Sequence, residues 1–380
     1  MGPRQVAFAR KSWEELGGAE IEPLLRSGAI AILNARWVVD EWKRGGIIRR
    51  RQELPDEAFL SVDELINATA AGDLHLAAAS YPWMQPDHPD PKGWTLALLG
   101  GVLEAYITDG LGDHVWGLFW DFASLHQHPK DGQRTDAENA LFKQGLGGLA
   151  TIYGHQYTTV LRVSRAPDDY PSAYNLPDGA NVAAYPERGW CFTETSWSQL
   201  TKPSHLSLDL GRLSGNEKDK DEIVRTATVI NNNGGGRAPP RLPEDFVVAL
   251  ETKTFTNGKD DKPLVGMLYS SSFSQQFRSV KVLHCERLGW GDTEAVQLAK
   301  VLGSGVLQQL TTLLLDHNQI GEVGVTALAD VVRNSDVLPL IKTIGLRAVP
   351  ISDDAKQTLV DAMTARGGKV LLEATRSRFS

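Results

Sequence analysis

From about residue 28 onward, short apolar runs alternate with longer amphipathic stretches. "GAIAILNARWVVDEWKRGGII" (28–48) predicts a short strand, then a helix with Val38, Val39 and Trp42 on one face, stopped at Gly45-Gly46. In "LPDEAFLSVDELINAT" (54–69), Ser61 followed three residues later by Glu64 is a capping-box pattern, so a helix is expected to start there. "LHLAAASYPWM" (74–84) predicts a buried strand with a polar-aromatic tip, followed by a loop and a helix over "WTLALLGGVLEAYITDG". "HVWGLFWDFASL" (114–125) predicts a second strand ending at Asp121, and "DAENALFKQGLGGLATIYG" (136–154) the helix after it. "YTTVLRVS" (157–164) gives a third strand, "RGWCFTETSWSQL" a helix and "HLSLDLG" (205–211) a fourth strand. This alternation is that of an α/β domain: a mostly parallel sheet with helices on both faces.

Residues 212–243 break the pattern. "GNEKDKDE" is a charge run and "NNNGGGRAPP" is of low complexity, so the segment is expected to be a mobile loop or linker. Residues 243–273 predict two helices joined by a turn at Asn257-Gly258. The organisation that follows is an N-terminal helical region (1–70), an α/β domain (71–211), the linker (212–243), connecting helices (244–279) and a C-terminal part (280–380).

The C-terminal part repeats. "VKVLHCERLGWG" begins at 280, "LTTLLLDHNQIG" at 310 and "IKTIGLRAVPIS" at 341, spaced 30 and 31 residues apart. Apolar residues recur at matching places: Leu283, Leu313 and Ile344, then Cys285, Leu315 and Leu346, then Trp290, Ile320 and Ile351. Each copy is followed by a helical stretch, so each offers one strand and one helix, and neighbouring copies would bury one another's apolar faces. The pattern resembles the helix-bearing leucine-rich repeats, L-x-x-L-x-L-x-x-N-x-I-G. The middle copy matches throughout, including Asn318, whereas Leu288 and Val349 stand at the asparagine position of the flanking copies. The resemblance implies a short solenoid with a protein-binding face.

Composition narrows the function. The 380 residues are 42% hydrophobic, enough for two or three compact domains. A net charge of −8 argues against general nucleic-acid binding, which needs clustered Lys and Arg. The one basic cluster, "IIRRRQELP" (47–55), is expected to be a solvated edge. Two cysteines, Cys191 and Cys285, build neither a disulfide framework nor a zinc site, so a reducing, intracellular and cytoplasmic setting is the default expectation. No apolar signal core, no run of about 18 apolar residues and no phosphate-binding "GxxxxGK[ST]" loop is found, so neither membrane insertion nor an ATPase module is expected.

The ends of parallel strands are where α/β proteins hold ligands. Ser80, Tyr81 and Trp83 follow the first strand, Asp121 ends the second, and Arg188 to Glu194, with Trp190 between, follow the third. These groups are expected to converge on a pocket with aromatic walls and two carboxylates, suited to a nucleotide-like ligand. The plainer alternative has Glu194 charging the first turn of its helix, Asp121 capping a turn, and the tryptophans 116, 120, 190 and 197 in the core. His126-x-His128 with Asp131, and Asp87-His88 with Asp90, are metal-ligand types at metal-ligand spacing but are expected to be plain solvent-exposed turns.

The motifs "SYPW", "WDFASLHQ", "IYG" and "RGWCFTE" stand in an order that resembles the HET (heterokaryon-incompatibility) domain, whose pattern runs from "SYxW" through "WIDxxCINQ" to "RxWTxQE". HET domains are related in fold to TIR domains, whose pattern also ends in "WCxxE" at a helix start, the spacing of Trp190, Cys191 and Glu194. The resemblance covers residues 74–200. It implies a TIR/flavodoxin-like sheet and NAD⁺ as substrate rather than bound cofactor. Glu194 would face the nicotinamide ribose and stabilise an oxocarbenium-like state. Trp83 or Tyr81 would stack on nicotinamide, Asp121 would hold a ribose hydroxyl, and the domain would self-associate. Two features depart from the pattern: "CINQ" is "SLHQ" here, and "PDHPDPKG" replaces the glycine-rich loop of TIR domains. The resulting expectation is an interaction or signalling protein, or a structural subunit of a larger assembly, with NAD⁺ glycohydrolase activity as the alternative.

Overall fold

The apolar runs become strands. A computed structural model describes residues 13–14, 18–109, 114–129, 132–228, 237–256 and 258–372. The described residues fall into two compact units, one within Met1–Ser198, His205–Ala227 and Ala249–Leu268, the other within Gln199–Ser204, Thr228–Val248 and Tyr269–Ser380. The first unit therefore takes in the N-terminal region as well as the segment 71–211 apart from Gln199–Ser204.

The first unit is built on a five-stranded sheet of order β1-β3-β2-β4-β5, formed by Leu33–Asn34, Leu74–Ser80, Val115–Phe119, Thr158–Arg162 and Ser207–Asp209 in chain order. β1 runs antiparallel to β3 and the other pairs are parallel, so the sheet is mixed. The chain moves from β2 to β3 on one side and then returns to β4 on the other, which makes the carboxyl ends of β2 and β4 the point where strand order reverses.

Strand alternation sorts the core. Ala77, Ala79, Trp116, Leu118 and Leu161 share a cluster with residues of α2 (Ala35–Lys43), α4 (Trp94–Thr108) and, later in the chain, α7 (Lys220–Thr228). On the opposite face Phe119 meets Tyr153 of α5 (Asp136–Gly154), and Tyr153 stacks on Trp197 of α6 (Gly189–Ser198). The remaining helices of this unit's N-terminal part are α1 (Ala19–Arg26) and α3 (Val62–Ala71). α3 starts as expected: Ser61 Oγ accepts from the Glu64 amide at 3.2 Å and Glu64 accepts from the Ser61 amide at 2.8 Å.

The charge run at 212–243 is not featureless. It carries α7, whose Ile223 and Ala227, four residues apart, are buried. Of "NNNGGGRAPP", residues 231–236 lie outside the described residues, as does Asn257 of the expected turn. Arg237 is an anchor in the second unit: its guanidinium donates to the carbonyls of Gln199 (3.1 Å), Lys202 (2.7 Å) and His284, and its own carbonyl accepts from the Trp290 indole at 2.8 Å.

Helices α8 (Pro243–Glu251) and α9 (Gly258–Arg278) precede the second sheet. That sheet is parallel and four-stranded in chain order: β6 (Val282–His284), β7 (Thr312–Leu314), β8 (Thr343–Gly345) and β9 (Lys369–Leu371). Helices α10 (Asp292–Gly303), α11 (Glu322–Arg333) and α12 (Asp353–Thr364) alternate with them. The equivalent residues Leu283, Leu313 and Ile344 pair in register and are buried, which leaves Val282, Thr312 and Thr343 in the outer row. Among the described residues no helix is long and apolar enough to cross a membrane.

One polar pair in the first unit has a measurable consequence. His75 Nε2 and His114 Nδ1 lie 2.9 Å apart, and Trp116 stacks on His75. Burial lowers the His75 pKa, followed by the charge of His114 and of Lys220, with Asp73 opposing. The folded chain therefore takes this proton less readily than the unfolded chain. The corresponding stability is present above the unfolded imidazole value of about 6.5 and is lost as pH falls below it. Urea unfolding at pH 7.5 and 5.5 should show His75→Gln losing less stability on acidification than the wild type.

Candidate functional site

The site lies where β2 ends. Alternation sends Ser80 to one face of the sheet and its neighbour Tyr81 towards the other, and each hydroxyl meets a carboxyl group. Ser80 Oγ is fully buried and donates to Glu194 Oε2 at 2.5 Å. Tyr81 donates to Asp121 Oδ1, which also accepts from the Phe122 amide at 2.6 Å. The Trp83 side chain forms a further hydrogen bond with Asp121 and packs edge-on against Phe122.

Ser80, Tyr81, Trp83, Asp121 and Glu194 thus lie at one end of the sheet, Ser80 with Glu194 on one face and Tyr81 with Trp83 and Asp121 on the other. Trp190, the sixth residue expected there, has its indole nitrogen directed elsewhere: it donates to Asp261 of α9 at 3.0 Å.

Three hydroxyl residues not foreseen from the sequence complete the arrangement. Tyr185 OH lies 2.6 Å from Ser80 Oγ and 2.9 Å from Thr195 Oγ1, so hydroxyls form a file from half-buried Thr195 through Tyr185 and Ser80 to Glu194. Tyr153 also hydrogen-bonds the Glu194 side chain. Tyr153 has a single hydroxyl proton, and it goes to the Ala79 carbonyl at 2.7 Å.

Burial pushes the Glu194 pKa well above the usual carboxylate range, and the charge of Asp121 pushes it the same way, against its bonds from Ser80 and Tyr153. Burial raises Asp121 as well, against its bonds from Tyr81, Phe122 and Trp83. Cys191 is an inert thiol: its Sγ lies 3.4 Å from the Tyr81 carbonyl, and burial pushes its pKa up.

The "RGW" motif is a local clamp. Arg188 donates to the Ala183 carbonyl at 2.8 Å, the Trp83 carbonyl at 2.7 Å and the Tyr170 hydroxyl at 3.2 Å, tying the loop after β2 to the loop before α6. Gly189 follows because a Cβ there would stand 2.0 Å from the Phe255 ring.

No protein-family model matches this chain, and no curated protein does.

The other ligand-type residues have local work. Asp90 Oδ2 accepts from the Leu96 amide at 2.8 Å, in the first turn of α4, and His88 Nε2 lies 3.0 Å from the Ile48 carbonyl. His126 Nδ1 stands 3.8 Å from Glu138, while Asp131 lies outside the described residues. Among the described residues, no group of three or more His, Cys, Asp or Glu side chains is placed to hold a metal ion.

Proposed function

We propose that the protein is an interaction or signalling protein, serving as a subunit of a larger assembly, in which a HET/TIR-like domain has kept its glutamate for the fold rather than for catalysis. The observation that carries this reading is the state of Glu194: 7% exposed and engaged by Ser80 at 2.5 Å. An oxocarbenium-like state needs an ionised carboxylate open to the sugar, whereas this one is closed in by its own protein, and burial favours the neutral acid. The TIR/flavodoxin-like assignment draws support from the order of the parallel strands, β3-β2-β4-β5. The leucine-rich-repeat assignment draws support from three strand–helix copies and from buried Asn318, which bonds the turn of the copy before it. In this reading the outer face of β6 to β9, with Val282, Leu314 and Leu371, is a surface for other proteins, and the setting is intracellular.

A second reading has one specific observation in its favour. Two carboxyl groups and two hydroxyls converge where strand order reverses, as they would in an NAD⁺ glycohydrolase using Glu194. One experiment separates the two. Purified protein at high concentration, with a crowding agent, is incubated with NAD⁺ beside Glu194→Ala, and nicotinamide release is followed. No difference between the two proteins is expected. Release that depends on Glu194 would replace the first reading with the second.

A further inference from the structure

A groove in the second unit lies on the helix side of the repeats. It consists of two open clefts of about 530 and 930 Å³ that share Val296 and Lys300. Its floor comes from α10 and α11, through Val296, Ala299, Ala327 and Val331. Small residues there let another helix approach closely. Phe273 of α9 and the segment Arg241–Asp245 form the other wall. One large apolar side chain on its rim, Val323, stands far into solvent at 64% exposure. The lining carries four carboxylates (Glu244, Asp245, Asp292 and Asp330) against two cations (Arg241 and Lys300), with Arg333 paired to Asp330, so acidic charge stays in excess in a chain of net charge −8.

We propose that this groove receives a cationic amphipathic helix from a partner protein; the proposal deepens the interaction reading above and rests on it. Charge complementarity selects the occupant. An apolar stripe meets the valine and alanine floor, and flanking Lys or Arg residues meet the exposed carboxylates Glu244 and Asp245 on the opposite wall, Asp330 being paired with Arg333 and Asp292 accepting from the Gly321 and Gly324 amides. Length agrees: α10 and α11, which make the floor, have 12 residues each and span about 18 Å, enough for a partner helix of about three turns. The floor and walls are helices and side chains rather than a strand edge, so an extended peptide finds no ladder to join.

The test uses the full chain and fluorescently labelled peptides of about 14 residues, read by anisotropy. One peptide is an amphipathic helix with a leucine stripe and lysine flanks, the second carries glutamate flanks, and the third is a scramble of the first. The lysine-flanked peptide is expected to bind at least about tenfold tighter than either control, with an affinity that falls as salt rises. Val323→Lys and Asp245→Lys, both surface changes, should each weaken it about tenfold without changing the melting temperature. Leu314→Lys, on the outer face of β7, should leave it unchanged. Equal binding of the scramble, no binding, or indifference to both groove variants overturns the proposal. Loss with Leu314→Lys alone removes the groove but leaves the interaction reading standing, whereas Glu194-dependent NAD⁺ cleavage removes that reading whatever the peptides do.

Discussion

Replacing Asn318 with alanine is expected to cost the second unit on the order of 4 kcal/mol, from four lost hydrogen bonds at roughly 1 kcal/mol or more each. Asn318 is fully buried. Its Oδ1 accepts from the amides of Leu288 (3.0 Å) and Trp290 (3.1 Å), and its Nδ2 donates to the carbonyls of Cys285 (2.7 Å) and Leu315 (2.9 Å). Two acceptor and two donor sites are all an amide side chain has, and each is matched to a backbone group that has left water. Alanine leaves those four groups without partners in a closed interior. Aspartate should fare little better, because it keeps the acceptors, loses both donors and brings an unpaired charge into the core. The neighbouring Gln319 is exposed, and Gln319→Ala should change stability by no more than about 0.5 kcal/mol. Urea unfolding followed by circular dichroism measures both. A cost for Asn318→Ala below about 1 kcal/mol would mean that the turn has other partners for its amides.

Asn318 also marks the limit of what the sequence discloses. Its identity and spacing announce a turn-capping asparagine, and the 30-residue period places the strands around Leu283, Leu313 and Ile344. What spacing does not announce is that two of its bonds run back to the amides of the preceding copy, so that Leu288 needs no asparagine of its own. β9 escaped notice because it is three residues long and lies beyond the last recognisable copy. α7 escaped because its two buried residues are embedded in a charge run that resembles linker. In the first unit, strand ends were legible, and with them the placing of Ser80, Tyr81 and Asp121 at one end of the sheet, but not the division of Ser80–Glu194 and Tyr81–Asp121 between its two faces. The antiparallel direction of β1 was not, since two residues of strand carry no directional signal. Tyr185 was invisible because it arrives from the irregular stretch before α6, and its place depends on the Arg188 clamp, a long-range contact that leaves no periodicity behind. The orientation of Trp190 was hidden for a similar reason: its partner Asp261 is 71 residues away.

Glu194→Gln is expected to stabilise the first unit at pH 8, by about 1–3 kcal/mol, the usual scale for a buried ionisable group released from its desolvation cost. The sign follows from the direction of the shift. Glu194 keeps its proton in the fold at pH values where the unfolded chain, with a glutamate pKa of about 4.3, has already released it. Stability tied to this group is therefore complete below that value and is lost as pH rises towards the folded pKa. Glutamine stays neutral throughout and still accepts the Ser80 hydroxyl, so the variant escapes the loss. The gap between the two proteins should be near zero at pH 4 and widen steadily upward in paired thermal melts. Asp121 titrates in the same direction and is electrostatically linked to Glu194, so the widening belongs to the pair rather than to one residue. Glu194→Ala should destabilise instead, because it strands Ser80 and opens a cavity. A constant gap across the range, or a less stable glutamine variant at pH 8, would mean that the carboxylate is ionised in the fold, which is the state glycosidic cleavage requires. The same two proteins therefore connect stability to function: a pH-dependent gap with no NAD⁺ cleavage places Glu194 among the residues that hold the sheet to α6, and a flat gap with Glu194-dependent cleavage makes it the residue that acts on the sugar.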